Sequence, residues 1–260
     1  MANDVVELSA EGALGWITIN HPPANTLSAA VMTGIREGIA QHEADKDVRV
    51  IAITGNGHRF FSAGAHLPEL REALDSPAAP GSLLAVGLDT VHNVEQCGKP
   101  VIAVINGVAA GGGCELALAC HFRVASTKAT FSQPEIKLGL VPGWGGIHRL
   151  PRIIGEGRAL DWIVTGRTVS AEEAHAAGLV CQLADPDSLR PKAEELAHHL
   201  AGLPPLAIHA ALRALRERSL TPDKGEAIEA AAFAEAGATA DAKEGVAAFF
   251  EKRQPRFTGA

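Results

Sequence analysis

An α/β fold with a helical C-terminal region is what this 260-residue chain predicts, and three observations carry it. Two apolar, β-branched runs, VRVIAIT (48–54) and KPVIAVIN (99–106), have the length and composition of parallel strands covered on both faces. They alternate with helical patterns, and strand, helix, strand in that order implies right-handed βαβ crossovers. From Ile153 onward, helical spacing is the only pattern that remains.

Residues 5–8 and 16–20 read as a pair of strands around the turn SAEGALG. HPPANTLS then breaks the chain, and Ser28 is placed to cap a helix running to about residue 44. After the strand at 48–54 comes the loop GNGHRFFSAGAHL. Residues 68–98 mix helix formers with SPAAPGS, where variable structure is expected. The strand at 99–106 leads into GGGCELALAC, the start and body of a helix, and FRVAS is a third buried strand. Helical spacing then covers 157–165, 170–177, 187–200, 206–219, 222–236 and 241–253. Gly202, Pro204 and Pro205 punctuate that series as helix-stop residues do. A soft boundary near residue 200 divides a core (1–200) from a helical tail (201–260).

Composition excludes several functions. With eight Phe, three Trp and no Tyr, the chain has no stacking platform for single-stranded nucleic acid. A net charge of −7 without a polybasic stretch argues against a nucleic-acid binder. Cys97, Cys114, Cys120 and Cys181 show no CxxC and no metal-ligand spacing, so no metal site is expected. The start MANDVVELSAEG carries no signal-type apolar run, and reduced thiols suit the cytoplasm. Residues 101–120 mimic a membrane span in length, but Asn106, Glu115 and the glycine cluster favour a buried strand followed by a helix.

Chemistry concentrates in three segments. Gly111, Gly112 and Gly113 enter the helix carrying Glu115. They match no phosphate-binding signature, which leaves close packing or a backbone N–H facing an oxyanion. Glu115, in the first turn, can point into the same cavity, and an apolar site would hinder its ionisation. Glu135 follows Pro134 in FSQPEI and precedes the pocket-wrapping loop KLGLVPGWGG. Two glutamates on adjacent elements suit general acid–base work such as water addition to a double bond. In FFSAGAHL, the small residues Ala63, Gly64 and Ala65 offer a second set of N–H donors or a tight turn.

FFSAGAHL (60–67), INGVAAGGGCELALAC (105–120) and FSQPEIKLGLVPGWGGIHRLPRIIG (131–155) resemble the signature blocks of the enoyl-CoA hydratase/isomerase family, the crotonases. The tail EGVAAFFEKRQPRF (244–257) resembles that family's C-terminal helix, so the likeness spans the chain. The resemblance implies a ββα spiral core with a helical C-terminal trimerisation region, assembled as trimers or dimers of trimers. It implies that the Ala65 and Gly112 N–H groups hold a thioester oxygen and that Glu115 and Glu135 are the catalytic pair of a hydratase. Ala24, Ala63, His66, Leu67, Gly111, Pro134, Leu140, Pro142, Trp144, Phe249 and Lys252 match positions along the acyl-CoA. Lys252 would add local positive charge for a polyanionic ligand. Coenzyme A then belongs to the substrate, and no separate cofactor is implied.

Two positions depart from the family's pattern. His66 stands where Asp is common, and GWGGIHRL replaces GAGGTQRL at Trp144 and His148. Trp144 puts acyl length rather than reaction type in question. The leading expectation is hydration of a trans-2-enoyl-CoA in fatty-acid or related metabolism. The alternatives are an isomerase, another lyase or hydrolase on a CoA thioester, and an idle acyl-CoA-binding scaffold.

Overall fold

A six-stranded sheet and a four-stranded sheet carry the first 184 residues of the chain. The computed structural model describes residues 5–74, 79, 81–220, 231, 233, 235 and 237–260. The larger sheet joins β1 (Val6–Glu11), β2 (Leu14–Ile19), β3 (Val50–Gly55), β5 (Val101–Ile105), β7 (Phe122–Ser126) and β10 (Gln182–Ala184), in that order. All its pairings are parallel except the β1–β2 hairpin. The smaller sheet orders β4 (Phe60–Ser62), β6 (Val108–Ala110), β8 (Thr130–Ser132) and β9 (Val169–Ser170).

Chain order makes these two sheets a spiral. Each turn lays one strand in the large sheet, a short strand in the small sheet, and then helix. β3 and β4 lead to α2 (Leu67–Leu74) and α3 (Leu83–Gln96); β5 and β6 lead to α4 (Gly112–Ala119). β7 and β8 lead to a 3-10 turn at Pro134–Leu138, then α5 (Gly146–Ile154) and α6 (Glu156–Thr165). The ββα spiral that the family resemblance implies is therefore present. The first turn, from β2 into α1 (Ala29–Ala44), substitutes the isolated Leu27–Ala65 bridge for a full short strand.

The apolar runs become strands because both faces of the large sheet are covered. Ile17, Ile51, Ile53, Ala103 and Ile105 face the main core with α1, α3 and α4. Leu14, Val50, Ala52, Ile102 and Val104 face Leu189, Ala193, Ala197 and Leu200 of α8 (Leu189–Ala201). Each fully buried Val, Leu or Ile side chain among these contributes roughly 1.5–3 kcal/mol. Ser28 caps α1 through its side chain, accepting from the Val31 N–H, as its position predicts.

Beyond residue 153 the structure departs from the all-helical reading. β9 and β10 lie there beside α7 (Ala171–Ala176), and β10 completes the large sheet by pairing with β7. Strands of two and three residues are too short to show a period of two. The first hairpin is also longer than expected, since its turn needs little more than Gly12 at φ +60°. Helices α9 (Pro205–Leu220) and α10 (Ala240–Glu251) follow; most of the helix expected at 222–236, and residues 75–78 and 80, lie outside the described residues. Residues 101–120 divide into β5, β6 and α4, and among the described residues no helix is long and apolar enough to cross a membrane.

Candidate active site

The small sheet brings two loop ends together. β4 pairs with β6 in parallel, so the chain leaves both strands on the same side, at Ala63–Ala65 and at Gly111–Gly112. Gly64, at φ +100°, approaches so closely that a Cβ there would lie 2.7 Å from Ala110 O and 3.4 Å from Gly112 N. Within this run the Ala63, Gly64 and His66 N–H groups donate to Ala24 O, Ser62 Oγ and Leu27 O. The Ala65 N–H has no acceptor among the described residues. The Gly112 N–H, in the first turn of α4, likewise lacks an intrahelical acceptor, as helix starts dictate. Two unclaimed donors thus leave adjoining loops.

Each of the three consecutive glycines has its own steric reason. Gly111 caps α4 at φ +52°, and a Cβ there would approach Glu135 Oε1 to 2.9 Å. A Cβ on Gly112 would meet the Trp144 ring at 2.3 Å, and one on Gly113 would meet Ser62 O at 2.4 Å. Close packing, one of the two readings of the motif, holds at all three positions, and the Gly112 N–H is left without an acceptor among the described residues.

Glu115 is buried, with 2% of its surface exposed. Its Oε1 accepts the Trp144 N–H at 2.7 Å and the Gly146 N–H at 2.8 Å. Burial pushes its pKa up to about 7; the Gly146 and Trp144 hydrogen bonds and the Arg149 charge oppose this, while the Glu135 charge adds to it. Glu135 sits in the 3-10 turn after β8, half-buried, and burial also raises its pKa. Both carboxyls are therefore easier to protonate than in water, at one place beside the two free N–H groups.

Three residues that support this pair escaped the sequence reading. Gln133 is buried, and with its NH2 turned to Glu135 it donates to Oε1 and Oε2 at 3.2 and 3.3 Å. Gly146 supplies a donor to Glu115 and leaves no room for a side chain, since a Cβ there would stand 3.1 Å from Glu115 Oε1. Arg149 is buried in α5, donates to Trp144 O at 2.8 Å and pairs with Glu95 Oε2 at 2.6 Å. The Gly145–Gly146 doublet was the available signal, and it reads as a turn. Nothing marks Gln133 or Arg149 apart from a solvated surface residue.

Other expected positions scatter around this centre. Pro134 opens the Glu135 turn, the Leu140 N–H donates to Glu135 O, and Pro142 is buried against Gly146. Trp144 is fully enclosed. Ala24 accepts from Ala63, and Leu67 begins α2 with its side chain exposed. His66 Nδ1 faces Glu69 Oε1 at 3.1 Å, while Glu69 Oε2 accepts the Ala29 N–H at 2.7 Å. His66 thus ties its loop to α2 and α1. His148 accepts from Arg152 on the outer side of α5. Lys252 lies past α10 and is exposed, and among the described residues no hydrogen bond or ion pair ties it to the glutamate loops. Phe249 lies in α10, but its side chain is outside the described residues. Among the described residues no three His, Cys, Asp or Glu gather as metal ligands.

A family profile described as "Enoyl-CoA hydratase/isomerase" matches residues 9–260. The chain belongs to the enoyl-CoA hydratase/isomerase family. It is 38% identical to a protein named "Crotonyl-CoA hydratase" from Syntrophomonas wolfei, over 99% of both chains. It is 37% identical to a "Short-chain-enoyl-CoA hydratase" from Clostridium acetobutylicum, covering 97% of this chain and 96% of that one. Among solved structures, an enoyl-CoA hydratase from Bacillus anthracis superposes with a TM-score of 0.92 at 36% identity, over 99% of this chain and 100% of that one. The crotonase fold of this family is thus the fold of the chain.

Proposed function

We propose that this crotonase hydrates a trans-2-enoyl-CoA to a 3-hydroxyacyl-CoA. The observation that carries the reading is the juxtaposition of Glu115 and Glu135, both with raised pKa, beside the unclaimed N–H groups of Ala65 and Gly112. The names of the full-length relatives support it.

In this mechanism the Ala65 and Gly112 N–H groups hold the thioester oxygen, and one water lies between the glutamates. Ionised Glu115 takes a proton from that water as its oxygen bonds to the substrate β-carbon. The double-bond electrons move onto the thioester oxygen as an enolate. Protonated Glu135 delivers its proton to the α-carbon, the enolate collapses, and one water has been added to one face. A proton moving from Glu115 to Glu135 resets the pair. Each oxyanion donor contributes about 2.7–4 kcal/mol in comparable sites.

Ala24, Ala63, His66 and Leu67 form the rim along which the CoA moiety runs. The substrate supplies the coenzyme A, and the reaction uses no further cofactor. A 3-hydroxyacyl-CoA product suits fatty-acid or related acyl-CoA metabolism, and the free cysteines suit the cytoplasm. Residues 201–260 serve assembly into a trimer or dimer of trimers, which brings Phe249 and Lys252 to CoA. Exposed Leu138, Val141, Ile147, Leu160 and Val164 on mutually packed elements support a self-associating surface.

The direct test incubates purified protein with crotonyl-CoA and follows loss of the conjugated thioester absorbance, with product identification by mass. Formation of 3-hydroxybutyryl-CoA is expected. Turnover of a 3-enoyl thioester without any hydration would overturn the reading in favour of isomerisation.

A further inference from the structure

The Trp144 indole is clamped between two helices by two glycines. On one side a Cβ at Gly112 of α4 would lie 2.3 Å from ring atom Cζ3. On the other, a Cβ at Gly87 of α3 would lie 2.1 Å from Cε2. Glycine weakens a helix interior, yet at Gly87 no other residue leaves space for the ring. The indole Nε1 finds no acceptor among the described residues, so packing rather than a hydrogen bond holds the ring. Trp144 is 2% exposed, and Leu84 of α3 closes on the neighbouring Gly143.

The ring lies beside the reacting groups. Its six-membered ring packs on Gly112, whose N–H takes the thioester oxygen in the hydratase reading, and the Trp144 main-chain N–H donates to Glu115. In the hydratase reading the thioester oxygen sits at Gly112 and the β-carbon beside Glu115, so the acyl chain continues next to the space between the Trp144 loop, α3 and α4. That space is occupied by the indole.

We propose that Trp144, seated on Gly87 and Gly112, is the end wall of the acyl pocket and restricts this chain to short 2-enoyl thioesters. The proposal rests on the hydratase reading for where the acyl group lies. The side chain acts through volume alone, because the N–H that binds Glu115 belongs to the backbone and persists in any variant at this position.

The experiment compares trans-2-butenoyl-CoA with trans-2-decenoyl-CoA on wild type, Trp144→Ala and Trp144→Phe. Wild type is expected to favour the butenoyl ester in kcat/KM, and Trp144→Ala to raise the decenoyl-to-butenoyl ratio by at least about tenfold. Trp144→Phe is expected to fall between them and serves where the alanine variant does not fold. Equal kcat/KM for the two esters on wild type, or a ratio unchanged in the folded variants, would overturn the proposal. Calorimetric binding of butyryl-CoA and decanoyl-CoA separates this from the reaction itself. If no enoyl ester is hydrated but wild type still binds the butyryl ester more tightly, the hydratase reading fails and the end wall stands. Equal or tighter binding of decanoyl-CoA removes the end wall whatever the reaction.

Discussion

Glu115 Oε1 accepts the Trp144 main-chain N–H at 2.7 Å, so a carboxylate on α4 is anchored to the loop that leads into α5. The Gly146 N–H reaches the same oxygen. A glutamine at this position keeps that acceptor, so Glu115→Gln is expected to fold with both contacts intact. Removing the base is expected to lower crotonyl-CoA hydration roughly 100- to 10,000-fold, the usual contribution of a positioned proton acceptor. Glu135→Gln is expected to act similarly. Steady-state rates beside circular-dichroism spectra check this, and near-wild-type hydration in either folded variant contradicts the two-glutamate mechanism.

A base whose pKa stands at about 7 must be ionised to work. The kcat/KM for crotonyl-CoA is therefore expected to fall as pH drops below about 7, with an acid limb that belongs to the carboxyl pair as a unit. Rates measured across the range from acid to mildly alkaline pH show whether the limb exists. A flat profile down to the ordinary carboxyl range would place the working base outside this burial.

The same shift has a consequence for stability with a definite sign. Glu115 goes from an ordinary value of 4.5 to about 7 in the folded chain, so the native state holds the proton more tightly. Its contribution is fully present below pH about 4.5 and is lost as pH rises through about 7. At 1.36 kcal/mol per pH unit this amounts to about 3 kcal/mol. Glu115→Gln carries no such charge and is expected to gain stability relative to wild type between acid and alkaline pH. Denaturant melts of both proteins at the two ends of that window test the divergence; parallel curves would refute it.

Much of this site was legible from residue order alone, and the reasons are physical. Gly111–Gly113 before an apolar helix, Glu115 in its first turn and Glu135 after Pro134 each carry a local conformational demand that a sequence displays. The central strands of the large sheet, β3, β5 and β7, were legible for the same reason, since they are buried on both faces and read as continuous apolar runs. β9 and β10 were hidden because their few residues pair with strands about 40 to 60 positions away. Gln133 and Arg149 were hidden because only the folded chain buries them against Glu135, Trp144 and Glu95. The Gly87–Trp144 contact joins residues with no pattern in common.

Gly112→Ala tests the close approach at the helix entrance. The added Cβ would lie 2.3 Å from the indole and force the ring or the turn to move. Overpacking of this kind costs typically 1–3 kcal/mol of stability. Displacing the N–H donor is also expected to lower kcat by roughly 100- to 1,000-fold. Gly113→Ala is the control, because its Cβ meets Ser62 O instead and strains the α4–β4 contact. Comparable stability loss with a much smaller fall in kcat is expected there, and equal falls in both variants would deny Gly112 a specific role.

Arg149 provides the last test of the proposed base, because it reaches Glu115 through the Trp144 main chain. Its guanidinium donates to Trp144 O and pairs with Glu95 Oε2. Burial works against ionised Glu95, yet the hydrogen bond and charge of Arg149, with Arg152, hold its carboxyl below the usual range. The positive charge also opposes the upward shift of Glu115. Arg149→Met is expected to lose about 1–3 kcal/mol of stability, because half-buried Glu95 keeps only the more distant Arg152 and Trp144 O loses its donor. The diagnostic readout is the pH profile: the acid limb of kcat/KM moves to higher pH once the charge is gone. Arg149→Lys keeps a charge without the forked donor geometry and is expected to restore part of that shift. Destabilisation with an unmoved acid limb would make Arg149 a packing residue only, with no hold on the proton affinity of Glu115.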